Sequence, residues 1–114
     1  MSSDHDKTSY ALGVIHDAID MADAVVAKGR DAFDDPTDPT LRGAGAYALV
    51  ILGAGVARLP EEFINAHPGL PWREARGVRN VTAHYQSTMD NDIVWKTLAE
   101  DLEPFRLLLE RYGI

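Results

Sequence analysis

The feature that most constrains the fold of this chain is its longest apolar run, "GAGAYALVILGAGVA", from Gly43 to Ala57. It is apolar on nearly all sides of a helix, a pattern typical of a helix surrounded by others. The run is shorter than the roughly 20 residues that a membrane span needs, and it contains four glycines. We therefore predict a central core helix, from about Leu41 to Arg58, and no membrane span.

The segments before the core helix predict one amphipathic helix and a loop. From Thr8 to Lys28 the apolar residues recur mostly at intervals of three and four, and Gly29 suits the position just after that helix. "RDAFDDPTDPT" then reads as a loop, with Thr40 as the N-cap of the core helix.

After the core helix, "PEEFINAH" predicts a short helix with Pro60 in its first turn, and a further helix is predicted from Pro71 to about Gln86. The sequence "DND" at Asp90–Asp92 should cap a last helix from Ile93 to Tyr112, ended by Gly113.

Pro104 lies inside this last predicted helix and predicts a kink or break near Glu103. No segment shows the alternation of a strand. We therefore predict an all-α fold over residues 1–114: a single-domain, up-and-down bundle of about four main helices plus a short one.

Charge is distributed unevenly along the chain. The net charge is −7, but residues 1–70 carry a balance of −6 and residues 71–114 only −1. The window from Trp72 to Thr88 holds three arginines and one glutamate. If the protein binds nucleic acid, this window is where we expect the contact.

No cofactor or metal is expected. The chain has no cysteine, and its aspartate-rich loop lacks the glycine and terminal glutamate of a calcium loop. The polar, acidic start "MSSDHDKTSY" lacks the features of a signal peptide, so a cytoplasmic location is expected.

The basic window contains the motif "RGVRNVTAHYQ". On one continuous helix Arg76, Asn80 and His84 would form a line with Arg73 close by, whereas Arg79 would lie about 140° around from His84. Histidine can move a proton near neutral pH, and arginine offers a fork of donors to a phosphate. The set therefore suits RNA phosphodiester cleavage, although an Arg and a His at this spacing are more often a structural pair.

The stretches "LPEEFINAHPGLPWREARGVRNVTAHYQ" and "DNDIVWKTLAEDLEPFRLLLE" resemble the HEPN superfamily, and within it the HepT-like branch of small all-helical ribonuclease toxins. The family signature is an Arg, four to six residues and a His, usually with a polar residue directly after the Arg; these fall on Arg79, Asn80 and His84.

This resemblance implies a homodimer with metal-independent endoribonuclease activity on RNA, paired with a nucleotidyltransferase antitoxin in a type VII-like toxin–antitoxin system. It implies acid–base work by His84, phosphate stabilisation by Arg79 and positioning by Asn80. Arg73 and Arg76 would guide RNA.

Two positions depart from the family pattern. Tyr85 follows His84 directly, while Gln86 stands where the family has the tyrosine that its partner modifies. Ala54 lies near the place where many relatives have an acidic residue. Tyr85 is the candidate for modification.

Two alternatives to a ribonuclease stay open. One is a non-catalytic module that binds a nucleotidyltransferase or nucleic acid, and the other is a plain structural helical dimer.

Overall fold

The computed structural model describes the backbone of residues 3–83 and 90–114, and the side chains of residues 5–82 and 90–114. No described residue lies in a strand, so the predicted all-α bundle is confirmed. The helices in chain order are α1 (Ser3–Ala27), α2 (Arg30–Asp34), α3 (Thr40–Arg58), α4 (Glu61–Ala66), α5 (Trp72–Gly77), α6 (Asn80–Ala83), α7 (Asn91–Lys96), a π-helical turn (Thr97–Asp101) and α8 (Leu102–Tyr112).

The predicted core helix is α3, which packs along α1. Leu49, Leu52 and Ile15 are completely buried between the helices of the bundle. A Cβ built on Gly55 would lie 3.0 Å from a side-chain carbon of Ile15, so this glycine permits the close contact with α1. By length and composition α3 would also be able to cross a membrane, but eight of its residues are buried in the bundle, as the core-helix prediction requires.

The segment predicted as a loop contains the short helix α2. Gly29 precedes it with φ 90° and ψ 158°, a conformation open essentially only to glycine. The side chain of Phe33 is completely buried, and its ring lies 5.2 Å from that of Trp95. The prediction of a simple loop was wrong because this one apolar residue anchors a helical turn in the core.

The predicted starts of α3 and α4 are each displaced by one residue. Thr40 is the first residue of α3 rather than its N-cap, which is Pro39, and the Asp38 carboxylate accepts a 3.0 Å hydrogen bond from the Thr40 backbone N–H. In the same way Pro60 is the N-cap of α4 and not its first residue.

The helix predicted from Pro71 to about Gln86 is interrupted at Val78 and Arg79. The Thr82 backbone N–H bonds to the Arg79 carbonyl at 3.2 Å, a spacing of three residues, and the Thr82 hydroxyl donates to the same oxygen at 3.0 Å. Such a local side-chain bond competes with regular helix geometry. The prediction of one continuous helix is therefore wrong within the described residues, and the line of Arg76 and Asn80 loses the regular helix on which it was based.

The last helix runs from Asn91 to Tyr112 through the π turn, without a break at Glu103. Pro104 has no N–H, and its ring crowds the carbonyl four residues earlier. The π turn, in which the Leu102 N–H reaches the Thr97 carbonyl, accommodates this misfit just before the proline.

The caps predicted at both ends of this helix are confirmed, although the helix begins at Asn91, two residues before the predicted Ile93. The Asp90 carboxylate accepts hydrogen bonds from the backbone N–H groups of Asp92 and Ile93, at 3.0 and 3.2 Å. Gly113 is left-handed at φ 69°, and the Ile114 N–H closes the helix end by bonding to a carbonyl five residues earlier at 3.0 Å.

Candidate nucleic-acid interface

Three arginines form a row along α5 and the turn that follows it. Arg73 and Arg76 are exposed and line a groove of about 450 Å³ against the C-terminal part of α3, where Ala57 forms part of the wall. Arg79 is half-buried. We call Arg73, Arg76 and Arg79 the arginine row.

Gly53 of α3 allows the arginine row to lie close to the core helix. A Cβ at this position would lie 2.8 Å from the backbone oxygen of Arg76 and 2.9 Å from the Cβ of Arg79. Any other residue at position 53 would push the turn outward. Sequence reasoning did not assign this role to Gly53, and the one signal in the sequence is a glycine inside a strongly apolar helix.

The guanidinium groups of the arginine row have no hydrogen-bond or ion-pair partner among the residues that the structure describes. Glu61 lines the same groove as Arg73 but forms no ion pair with it. Guanidinium groups that are not held by carboxylates of their own chain are available to an external anion, and their fork of donors matches a phosphate.

Of the remaining predicted site residues, the structure describes one. Asn80 is exposed and begins α6, directly after Arg79, so the structure brings the arginine row and the asparagine into one segment. His84 and Tyr85 lie outside the described residues, and their predicted roles stay predictions.

The outer face of α3 is apolar and exposed next to the arginine row. Tyr47 and Val50 are 57% and 42% exposed, and they continue through half-buried Ala54 to exposed Ala57. These positions follow one another at intervals of three and four, so they form a single stripe. Because Ala57 also borders Arg73 and Arg76, the stripe and the arginine row are adjacent.

The aspartate-rich loop is used for turn formation. The Asp35 carboxylate accepts from the hydroxyl and backbone N–H of Thr37, at 2.7 and 2.8 Å, and these bonds lower the pKa of Asp35. The bond from Thr40 similarly lowers the pKa of Asp38. Across residues 5–82 and 90–114 no group of three or more His, Asp or Glu side chains has the arrangement of a metal site.

Fold and site together define a small all-α protein with a basic edge beside an apolar helix face. The profile of the family described as "Ribonuclease HepT-like" matches residues 15–112. The chain belongs to this family, as the resemblance of its motif blocks predicted.

Several curated proteins are similar to the chain. It is 33% identical over 75 residues to a "Putative RNase" of Caldanaerobacter subterraneus subsp. tengcongensis, covering 66% of this chain and 67% of that protein. It is 33% identical over 64 residues to a "Probable ribonuclease HepT" of Thermococcus cleftensis, covering 56% of this chain and 58% of that protein.

A "Putative RNase" of Methanocaldococcus jannaschii is 26% identical over 98 residues, which cover 84% of this chain and 90% of that protein. No solved structure matches the chain.

Proposed function

We propose that this member of the HepT-like ribonuclease family is a metal-independent endoribonuclease that cuts RNA in a cleft between two copies of the chain. The observation that carries the proposal is the arginine row: three guanidinium groups that no described residue neutralises, directly before Asn80 and the His84 of the family signature. The names of the relatives support a ribonuclease.

In the proposed reaction the 2′-oxygen of a ribose attacks the neighbouring phosphorus, a new P–O bond forms, and the bond to the 5′-oxygen of the next nucleotide breaks. His84 moves the proton that leaves the 2′-hydroxyl or the one that the departing 5′-oxygen gains. Arg79 stabilises the negative charge that grows on the phosphate oxygens, and Asn80 positions the reacting groups. Arg73 and Arg76 hold the RNA backbone on either side.

The apolar stripe on α3 is the face that we propose for the dimer. An exposed apolar surface of this kind is a common sign of a protein contact, and a two-fold dimer pairs the same patch on both copies. Ala57 is the end of the stripe and also borders the arginine row. Pairing the stripes of two copies would therefore bring their two arginine rows to one cleft.

The dimer is tested by Val50→Glu, with Leu107→Glu as the matched control because Leu107 is similarly exposed, at 50%, on α8. We expect Val50→Glu to convert the dimer to monomer in sedimentation equilibrium and Leu107→Glu to leave it dimeric. A wild type that is monomeric at all concentrations would remove the dimer from the proposal.

We further propose, from the family alone, that the chain is the toxin of a toxin–antitoxin pair in the cytoplasm. Its partner would be a nucleotidyltransferase antitoxin that modifies Tyr85. Mass spectrometry of the chain after incubation with such an enzyme and ATP, beside Tyr85→Phe, tests the modification.

The first experiment is incubation of the purified protein with total tRNA and a model mRNA in excess EDTA. Three proteins are compared: wild type, His84→Ala, and His5→Ala as a control that removes an exposed histidine from α1. We expect cleavage by the wild type and by His5→Ala, and none by a normally folded His84→Ala.

A second candidate function is a module that binds RNA or a nucleotidyltransferase without cutting. The observation that favours it is Ala54, which places a methyl group on the stripe near the point where the family resemblance predicts a carboxylate. RNA binding without cleavage by any of the three proteins would support this function. Cleavage gained by Ala54→Glu would then show that the carboxylate is the missing group.

A further inference from the structure

A second groove lies on the side of α5 that faces away from the arginine row. It has a volume of about 600 Å³ and runs between the α5–α6 segment and the π turn. Its floor is apolar and well packed: Ala75, Leu102 and Phe105 are all buried. Gly77 opens the groove further, because a Cβ at this position would have no atom within 4 Å.

The rim of this groove is acidic. Glu74 stands on one side and is exposed, whereas Glu100 and Asp101 stand on the other. Asp101 forms a 2.9 Å ion pair with Lys96, whereas Glu74 and Glu100 have no ion pair with any described residue. No arginine or lysine is among the described residues that line the groove.

The π turn places both acidic residues of the second wall on the groove. Glu100 and Asp101 are consecutive residues of this turn, and each lines the same cavity. In a regular helix consecutive side chains lie 100° apart, and the wider turn changes where the following residues point. π-helical turns are found frequently at functional sites.

We propose that this acidic-rimmed groove docks a basic, amphipathic segment of a partner protein. The apolar side chains of the segment would lie on the floor, and its lysines or arginines would meet Glu74 and Glu100. This is the helix-in-groove mode of recognition, with complementary charge setting which partner binds.

Charge argues against the other occupants. The three rim carboxylates, of which only Asp101 forms an ion pair among the described residues, repel the phosphates of RNA and of anionic lipids. A second copy of this chain would offer the arginine row, which lies on the other side of α5 and forms no ion pair with the described residues. Insertion of that row into the groove would be a head-to-tail contact, which builds open chains rather than closed oligomers.

The docking groove does not rest on the proposed ribonuclease activity, because none of its residues belongs to the proposed catalytic set. Its test therefore reads binding directly. The probe is a fluorescein-labelled synthetic helix of about 18 leucine and lysine residues with all leucines on one face, about five turns long. A second peptide carries glutamate in place of every lysine.

Anisotropy titrations compare the wild type with Gly77→Phe, which fills the groove, and with Glu74→Lys/Glu100→Lys, which reverses its rim. The matched control is Asp20→Lys/Asp31→Lys, which changes the net charge equally at exposed positions on α1 and α2. We expect the lysine peptide alone to bind. Each groove variant should weaken it about tenfold or more, equivalent to about 1.4 kcal/mol, and the control about twofold or less.

Three results would overturn the proposal. The first is no binding of the lysine peptide, and the second is an equal loss in the groove variants and the charge control. In the third result, Gly77→Phe and the rim variant leave the peptide affinity unchanged but alter RNA affinity or self-association. Filter binding measures the RNA affinity, and sedimentation equilibrium measures the self-association. Circular dichroism and thermal melting establish that each variant is folded.

Discussion

Arginines are used in two different ways in this molecule. Arg30 and Arg106 are each held by two carboxylates: Arg30 by Asp34 at 2.7 Å and by Asp92, and Arg106 by Glu103 and Glu110 at 2.5 and 3.0 Å. Hydrogen bonds to Asp92 and Asp34 raise the pKa of Arg30, and the hydrogen bond to Glu103 is the main cause that raises the pKa of Arg106. The arginine row has no such partner among the described residues.

This difference separates arginines that organise the chain from arginines that are available to a ligand. Arg30 joins α2 to the start of α7, and its guanidinium also lies 5.9 Å from the ring centre of Trp95. Arg106 bridges successive turns of α8. A cation that is already paired gains little from a phosphate, whereas an unpaired cation beside an accessible groove binds one at low cost.

The largest effect that would test this comparison is on catalysis. Arg79→Ala removes a donor from the proposed phosphate site, and loss of one such donor typically lowers the rate by about 100- to 1,000-fold. The matched variant Arg106→Ala removes a paired arginine and should leave the rate nearly unchanged. Single-turnover cleavage of a defined RNA measures both, and equal losses would show that the two arginines do not differ in use.

The next effect is on RNA affinity. The double variant Arg73→Ala/Arg76→Ala should bind RNA less tightly, and the slope of log Kd against log salt should fall by roughly 0.7 for each phosphate that the protein no longer neutralises. Lys28→Ala/Arg111→Ala removes the same charge from exposed positions elsewhere. A similar fall in both double variants would mean that net charge, rather than the arginine row, controls binding.

A smaller effect concerns how the arginine row is held. Gly53→Ala places a Cβ against the backbone of Arg76 and the side chain of Arg79, and such overpacking typically costs about 1–3 kcal/mol. In Gly77→Ala the new Cβ meets no atom, so the helix should instead gain about 0.5–1 kcal/mol. Urea unfolding measures both changes, and a gain in stability for Gly53→Ala would contradict the close contact at Gly53.

The parts of the fold that could be predicted from sequence are those set by local chemistry. The apolar run of α3, the Asp90 cap and Gly113 each act through neighbouring residues, so their patterns are visible in the chain. The helical turn around Phe33 was missed because its stability comes from Trp95, which is distant in sequence.

The sequence predicts which arginines belong to the basic window, but not how the arginine row is arranged in space. The sequence identifies a basic window, but the turn after Gly77 depends on the local bonds of Thr82 and on packing against Gly53, neither of which follows a simple period. The acidic-rimmed groove could not be predicted, because Glu74 and Glu100 are distant in sequence and line one groove only in the folded bundle, where α5 and the π turn face each other across it.

The smallest expected effect concerns carboxylates that, unlike Glu74 and Glu100, are satisfied by their own loop. Threonine hydrogen bonds lower the pKa of Asp35 and Asp38 below its usual value, so their ionised forms stabilise the folded state. That contribution is present above the unfolded pKa of about 4 and is lost as the pH falls through the lower folded values. The variant Asp35→Asn/Asp38→Asn should therefore be less stable than the wild type at pH 7, and the difference should narrow in acid.

Thermal melts from pH 7 to pH 3 measure this narrowing, with Asp20→Asn/Asp31→Asn as the control because these aspartates are exposed on α1 and α2. If the difference in melting temperature between the loop variant and the wild type stays constant with pH, the loop side chains stabilise the fold through hydrogen bonds that do not depend on their charge. A difference that narrows only in the loop variant would show that the chain uses the charge of Asp35 and Asp38 internally. Glu74 and Glu100 form no hydrogen bond or ion pair among the described residues, and the charge of Glu100 acts only at longer range on Lys96, which is bonded to Asp101. Both carboxylates can therefore accept hydrogen bonds from the cations of a docked partner.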